Sequence, residues 1–183
     1  LTVYNSISEQ DAVFITAPAP VFTGTSLSRD TVAENLGFGA DQLDARYPID
    51  CINAGLNTLI VPVASLKDEI SLFPNEAALK AFCLKNGVDI ILIFSTEVQN
   101  AANRAHTRVF APKFGYLEDP ATGSGNSAFG HYLLKNKLWN GEPISLEQGG
   151  EDRVFNTVRL KMQGESLLFG GRATERIVGK YLV

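Results

Sequence analysis

Leu117-Glu118-Asp119-Pro120-Ala121-Thr122-Gly123-Ser124-Gly125-Asn126-Ser127-Ala128 sets two acidic side chains just before a turn of small residues that runs into a helix. The Asp-Pro pair biases Asp119 to an extended conformation. The Thr-Gly-Ser-Gly run lets backbone N–H groups approach a ligand without obstruction by Cβ atoms. The orphan N–H groups and the positive dipole end of the following helix face whatever anion sits there, so the stretch reads as a pocket for a small carboxylate. The same pattern also suits a tight connection between a strand and a helix, and only its flanks separate the two readings.

Outward from this turn, periodicity places the rest of the chain. Ala12 to Ala17 alternates like a strand ended by Pro18 and Pro20, and Phe22-Thr23-Gly24-Thr25 reads as a loop. Ser28 caps a short helix closed by Gly37, with Val32 and Leu36 inward. Ile49 to Ile52 and Thr58 to Val63 read as strands separated by Asn53-Ala54-Gly55-Leu56-Asn57. Asn75 caps a helix whose Leu79, Phe82 and Cys83 recur at three and four residues, stopped by Gly87. Ile90 to Phe94 and His106 to Phe110 are short apolar strands. The helix after Gly123 carries Ala128, Phe129, Tyr132 and Leu133, with Gly130 permitting close approach, and is apolar on more than one face, as a helix inside a sheet should be. Thereafter the pattern is all strand: Ile144 to Glu147, Thr157 to Met162, Ser166 to Gly170 and Glu175 to Val178. No repeat or low-complexity segment interrupts it.

With 183 residues, 45% apolar and 20% charged, the chain can bury a core of one domain or one and a fraction. Sixteen Lys and Arg among 20 Asp and Glu, net −4, do not supply the basic surface that neutralises phosphates, so no nucleic-acid partner is expected. No apolar run reaches the roughly 20 residues needed to span a bilayer, and a cytoplasmic protein is the default expectation. Cys51 and Cys83 read as reduced structural thiols. Neither His106 nor His131 has partners in sequence that would make a metal site or a Ser-His-Asp arrangement, and no metal is expected.

Arg108-Val109-Phe110-Ala111-Pro112 upstream, the Glu-Asp-Pro-Ala-Thr-Gly-Ser core, and Gln148-Gly149 downstream together closely resemble the signature of the phenazine-biosynthesis (PhzF-like) family, over essentially the whole chain. The resemblance implies an α+β fold of the diaminopimelate-epimerase type, two similar halves each with a mixed or antiparallel sheet wrapped around a central helix, and an active site between them. It also implies an isomerase without a cofactor, commonly a homodimer, in which a Glu of the first half shuttles a proton. That Glu and the Gly-His turn expected with it have no counterpart here, and the chain is short for the family. The expectation is therefore a second half only: residues 1–20 as terminal strands of a truncated first half, 21–172 as the second domain, and 173–183 as a final strand returning toward the first. The strands around Val13-Phe14-Ile15 and Arg176-Ile177-Val178 are then expected to lack the sheet they were shaped to join, which favours association with another copy.

Carried over by position, Asp119 is the assisting carboxylate, with the alternative that it caps helix N–H groups. Ser124 donates to a substrate carboxylate or caps the helix, and Gly123 and Gly125 act through their backbone. Asn53 and Gly55 at a strand end, with Gln148 and Gly149 from the other side, are expected to line the cleft and touch substrate. Glu118, pointing away from Asp119 on an extended segment, is expected in a salt bridge. Arg153 stands where the family usually carries an Arg-Pro-Ser sequence, either as an anion partner or as a surface charge. Epimerases of the same fold carry a thiol at the position of Thr122; a hydroxyl cannot be the base, so two-thiol racemisation is disfavoured. The reading is a PhzF-like proton-transfer isomerase acting on a small carboxylic acid, inactive in this form. The competing reading is a non-catalytic small-anion-binding or structural module.

Overall fold

A computed structural model describes residues 3–4, 12–150 and 156–173. In chain order the elements are β1 (Val3–Tyr4), β2 (Val13–Thr16), β3 (Val21–Phe22), α1 (Arg29–Leu36), β4 (Asp50–Asn53), β5 (Asn57–Pro62), α2 (Leu66–Ser71), α3 (Glu76–Asn86), β6 (Ile90–Ser95), β7 (Ala105–Phe110), β8 (Glu118–Asp119), α4 (Gly123–Lys135), β9 (Ile144–Gln148), β10 (Asn156–Gln163) and β11 (Ser166–Gly171). All strands join one sheet in the order β1-β2-β11-β10-β9-β7-β6-β5-β4-β3, with β8 branching from β7. Pairing is antiparallel except between β5 and β6 and between β7 and β9.

The central strands β6 and β7 are buried on both faces, which is why β6 reads as a continuous apolar run rather than an alternating one. Ile52, Ile60, Leu92, Val109, Leu146 and Leu160 face one core, built around α4. Cys51, Leu59, Val61, Ile91, Ile93 and Phe110 face a second core, built with α1 and α3. The sheet wraps α4, whose residues from Gly125 to Leu133 are all buried. Gly130 is what allows this: a Cβ there would meet Leu167 Cδ1 at 2.6 Å and Leu160 Cδ1 at 3.1 Å. At the far end of the helix Phe94, Phe129 and Tyr132 pack ring against ring, and the Tyr132 hydroxyl donates to Pro48 O at 2.8 Å.

Local capping chemistry sets the helix boundaries. Ser28, Ser65 and Asn75 accept from the backbone N–H of Thr31, Asp68 and Ala78 at the starts of α1, α2 and α3, and Gly37 and Gly87 close α1 and α3 in left-handed conformations.

Two expectations change, and one helix joins the elements read from the sequence. Phe22 belongs to the edge strand β3, not a loop, because its backbone pairs with Ile52. Residues 66–71, which lack an apolar period, form a helix because Ser65 caps it and Arg108 takes carbonyls at its end. Val13-Phe14-Ile15 is not an orphaned edge: β2 is paired on one side with β11 and on the other with β1. The expected strands at Arg176-Ile177-Val178 and Glu175 to Val178, and Arg153, lie outside the described residues.

Candidate functional site

Strand β7 carries Val109 and Phe110 opposite Asp119 and Glu118 of β8, and Pro120 and Ala121 then turn the chain into α4. Alternation sends the two acids to different partners. Glu118 forms the expected salt bridge, with Arg108 Nη2 and Nε at 2.7 and 2.9 Å. Asp119 folds back on its own turn, accepting from the Thr122 hydroxyl at 2.7 Å and the Ala121 N–H at 3.3 Å. It therefore closes the turn without capping the N–H groups inside the helix.

Thr122 is the N-cap of α4, yet its side chain makes no cap bond, unlike those of α1, α2 and α3. Ser124 lies inside the helix, so the capping alternative for its hydroxyl falls away. The helical bonding begins with Asn126 N–H to Thr122 O at 3.2 Å, so the N–H groups of Gly123, Ser124 and Gly125 precede it and take no acceptor among the described residues. Gly123 is held to glycine by packing as well, since any Cβ there would overlap the Phe169 ring. A Cβ on Gly125 would meet Ile90, Thr122 and Val109 side chains at 3.3–3.4 Å.

The turn between β4 and β5 abuts this helix start. Gly55 is in the left-handed region at φ 110°, and a Cβ on it would stand 3.8 Å from Ser124 Cβ. Asn53 closes the same turn by accepting the Gly55 N–H at 3.0 Å. Gly123, Ser124, Gly125, Asn53 and Gly55 are thus brought together.

Gln148 is not placed to touch a substrate. It is fully buried behind the turn, and all its hydrogen-bonding capacity is used internally: Nε2 donates to Asp119 O at 2.6 Å and Thr122 Oγ1 at 3.1 Å, while Oε1 accepts from Thr122 N at 3.0 Å and Asn126 Nδ2 at 2.6 Å. Gly149 continues the ladder by donating to Thr107 O at 3.1 Å. It lines a separate cavity of about 440 Å³ with Phe73, Arg108, Glu118, Pro120 and Asn156, on the Glu118 side of β8.

A second polar group brings in Glu69, which the sequence reading did not single out. Arg108 is almost completely buried, and besides Glu118 it donates from Nη1 to Glu69 O and Leu72 O, both at 2.7 Å. Two residues back along β7, His106 Nδ1 lies 3.1 Å from Glu69 Oε1, both side chains fully enclosed, so His106 does have an acidic partner. Burial pushes the Glu69 carboxyl above its ordinary range, with His106 opposing that shift. Burial likewise pushes the His131 imidazole down and the Cys83 thiol up to about 11; Cys51 and Cys83 are both free and buried. Among the described residues no three His, Cys, Asp or Glu side chains gather as metal ligands would, and no helix is long and apolar enough to cross a membrane.

One mixed sheet wrapped around a single buried helix, with a small-residue turn at that helix's start, defines the diaminopimelate-epimerase-like class of fold. Among solved structures, a PhzF-family phenazine biosynthesis protein from Bacillus anthracis superposes with a TM-score of 0.78 over 93% of this chain and 60% of its own, at 23% identity. A PhzF-family protein from Enterococcus faecalis gives 0.66 over 93% and 56%, at 17% identity. The family model for phenazine biosynthesis-like (PhzC-PhzF) proteins matches residues 1–177, and the chain belongs to that family. Among curated relatives, a trans-2,3-dihydro-3-hydroxyanthranilate isomerase of Pseudomonas fluorescens is 26% identical over 165 residues, 82% of this chain and 55% of that protein. An uncharacterised isomerase of Clostridium acetobutylicum is 27% identical over 110 residues, 60% of this chain and 36% of its own length. The chain therefore spans between about a third and a little over half of these two relatives.

Proposed function

We propose that this chain supplies the carboxylate-holding side of a cofactor-independent isomerase, one that moves a proton between carbons of a small carboxylic acid. The observation that carries the reading is the start of α4: three backbone N–H groups without acceptors among the described residues, beside Ser124 and the Gly55 turn, with Asp119 held at the mouth. Preorganised N–H donors at a helix start stabilise a carboxylate, and they also favour negative charge that develops as a proton leaves the neighbouring carbon. Asp119 is read as the assisting acceptor and Ser124 as a donor to the acid. Gly123, Gly125, Asn53 and Gly55 shape the opening. Thr122 spends its hydroxyl on Asp119, which favours one-carboxylate chemistry over exchange by a pair of thiols.

The proton-carrying Glu that the family resemblance calls for has no counterpart among the motif residues of this chain. We therefore read the chain by itself as binding the acid without turning it over. Association of two copies belongs to the same reading, through surface near β3, where Val21 and Phe22 are 60% and 50% exposed.

Titration of the ¹⁵N-labelled chain with succinate, followed in amide spectra, tests the binding half: resonances of Gly123, Ser124 and Gly125 should move together, and Ser124→Ala should weaken the effect. Saturating shifts elsewhere with none at these three would move the pocket. Deuterium uptake from solvent into a panel of unsaturated and amino acids tests the other half. Incorporation above a protein-free control would overturn the expected lack of turnover.

A further inference from the structure

We propose that Gln148 is a positioning residue that sets the direction of the Thr122 hydroxyl and, through it, the orientation of the Asp119 carboxylate. The inference rests on the carboxylate-binding reading of the α4 turn.

A glutamine amide offers two N–H donors and one oxygen with two lone pairs. In Gln148 all four are engaged, and the side chain is fully buried. The partners fix which way round the amide lies. Thr122 N–H and Asn126 Nδ2 are both donors, so the group facing them must be the oxygen; an exchanged amide would set NH₂ against two N–H groups. Asn126 is itself fixed, because its Nδ2 also donates to Thr122 O at 2.8 Å. Nε2 must then face Asp119 O and Thr122 Oγ1.

Having received that donor, the Thr122 hydroxyl has a single hydrogen left to give, and Asp119 Oδ2 stands 2.7 Å away to take it. The order of donation is Gln148 amide, Thr122 hydroxyl, Asp119 carboxylate. Two consequences follow. The hydroxyl is drawn away from the cap position that Ser28, Ser65 and Asn75 occupy on the other helices, leaving the first N–H groups of α4 to a ligand. Asp119 Oδ2 is pinned while Oδ1 is held only by the 3.3 Å bond from Ala121 N–H, so one carboxylate oxygen keeps capacity for a substrate proton or hydroxyl. Gln148 acts on a ligand it never touches.

The test is a double-mutant cycle on the 183-residue chain, read by calorimetry as the affinity for L-malate, whose hydroxyl can donate to Asp119, with succinate, which lacks that hydroxyl, as the comparison, beside thermal midpoints. Gln148→Glu keeps the shape and removes both donors. Thr122→Val removes the relay, and Thr122→Ser keeps it. Thr122→Val and Gln148→Glu should each weaken L-malate by about tenfold and change succinate little, as expected when the malate hydroxyl loses its hydrogen bond to the Asp119 carboxylate. The pair together should lose no more than either alone, and Thr122→Ser should bind as the wild type does. A purely structural amide would lower the thermal midpoint while leaving affinity unchanged in whatever variant still folds. Additive losses, or wild-type affinity for L-malate in Thr122→Val, overturn the proposal.

If the wild type binds neither acid, it is the carboxylate reading that fails. Positioning is then judged in ligand-free spectra, where the Ala121 amide reports the Asp119 carboxylate. That resonance should move in both Thr122→Val and Gln148→Glu, or in Thr122→Val alone should Gln148→Glu not fold; an unmoved Ala121 in Thr122→Val refutes the relay.

Discussion

His131 shows how far burial alone can set a residue's behaviour. It sits in the enclosed part of α4 with Nε2 lacking a partner among the described residues, and burial lowers its pKa from an ordinary value of 6.5. A histidine lowered in the folded state is protonated first in the unfolded chain. Its contribution is therefore intact above about pH 6.5 and is lost as pH falls below that value toward the lowered folded one. His131→Leu should accordingly gain on the wild type between pH 7.5 and 5.5 in urea unfolding. A constant difference across that interval would mean that His131 does not titrate on unfolding. Glu147 shows the opposite arrangement. It is buried but held by the Gln99 and Asn100 N–H groups and Asn103 Nδ2 at 2.7–2.9 Å, so it fastens the segment before β7. Nothing in the local sequence around Glu147 signals this, because its donors lie more than forty residues away.

At the scale of elements, α4 decides stability and site together. Its buried face was legible from Ala128, Phe129, Tyr132 and Leu133 and from the glycine among them. Gly130→Val should destabilise the chain by about 1–3 kcal/mol through Leu167 and Leu160, measured by denaturant unfolding. The helix ends less comfortably. Lys137 follows it in a left-handed conformation, φ 59°, where Gly or Asn is usual. Lys137→Gly should therefore raise stability by about 0.5–1 kcal/mol, because relief of the Cβ strain outweighs the added freedom of the unfolded chain. An unchanged or lower unfolding free energy would show that Lys137 is unstrained there. The caps of α1 and α3 could be read from Ser28 and Asn75, since an N-cap bond spans only three residues. Helix α2 has the same kind of cap at Ser65, but its segment lacks an apolar period and its other end is held by Arg108 on a strand 36 to 39 residues away.

Across the whole molecule, the sheet takes in β2, so the proposed association of copies is assigned to the exposed apolar residues at its β3 end. Light scattering across a concentration series should give a mass above the monomer that falls when Phe22 is changed to Lys. Monomer mass at every concentration would show that this edge is adequately guarded, with Lys135 Nζ already lying 5.3 Å from the Phe22 ring centroid.

The amino-acid sequence alone determined the caps of α1 and α3, the buried strands, the central helix and the turn before it, because each is written in contacts a few residues apart. It also placed Glu118 in an ion pair, since strand alternation is a local rule. Only the tertiary structure decided that Gln148 serves the turn from behind it, that His106 meets Glu69, and that β2 closes against β11. Those partners lie far apart along the chain, 26 residues for Gln148 and Thr122, and a side chain's bonding capacity is assigned only when the fold brings such groups within reach.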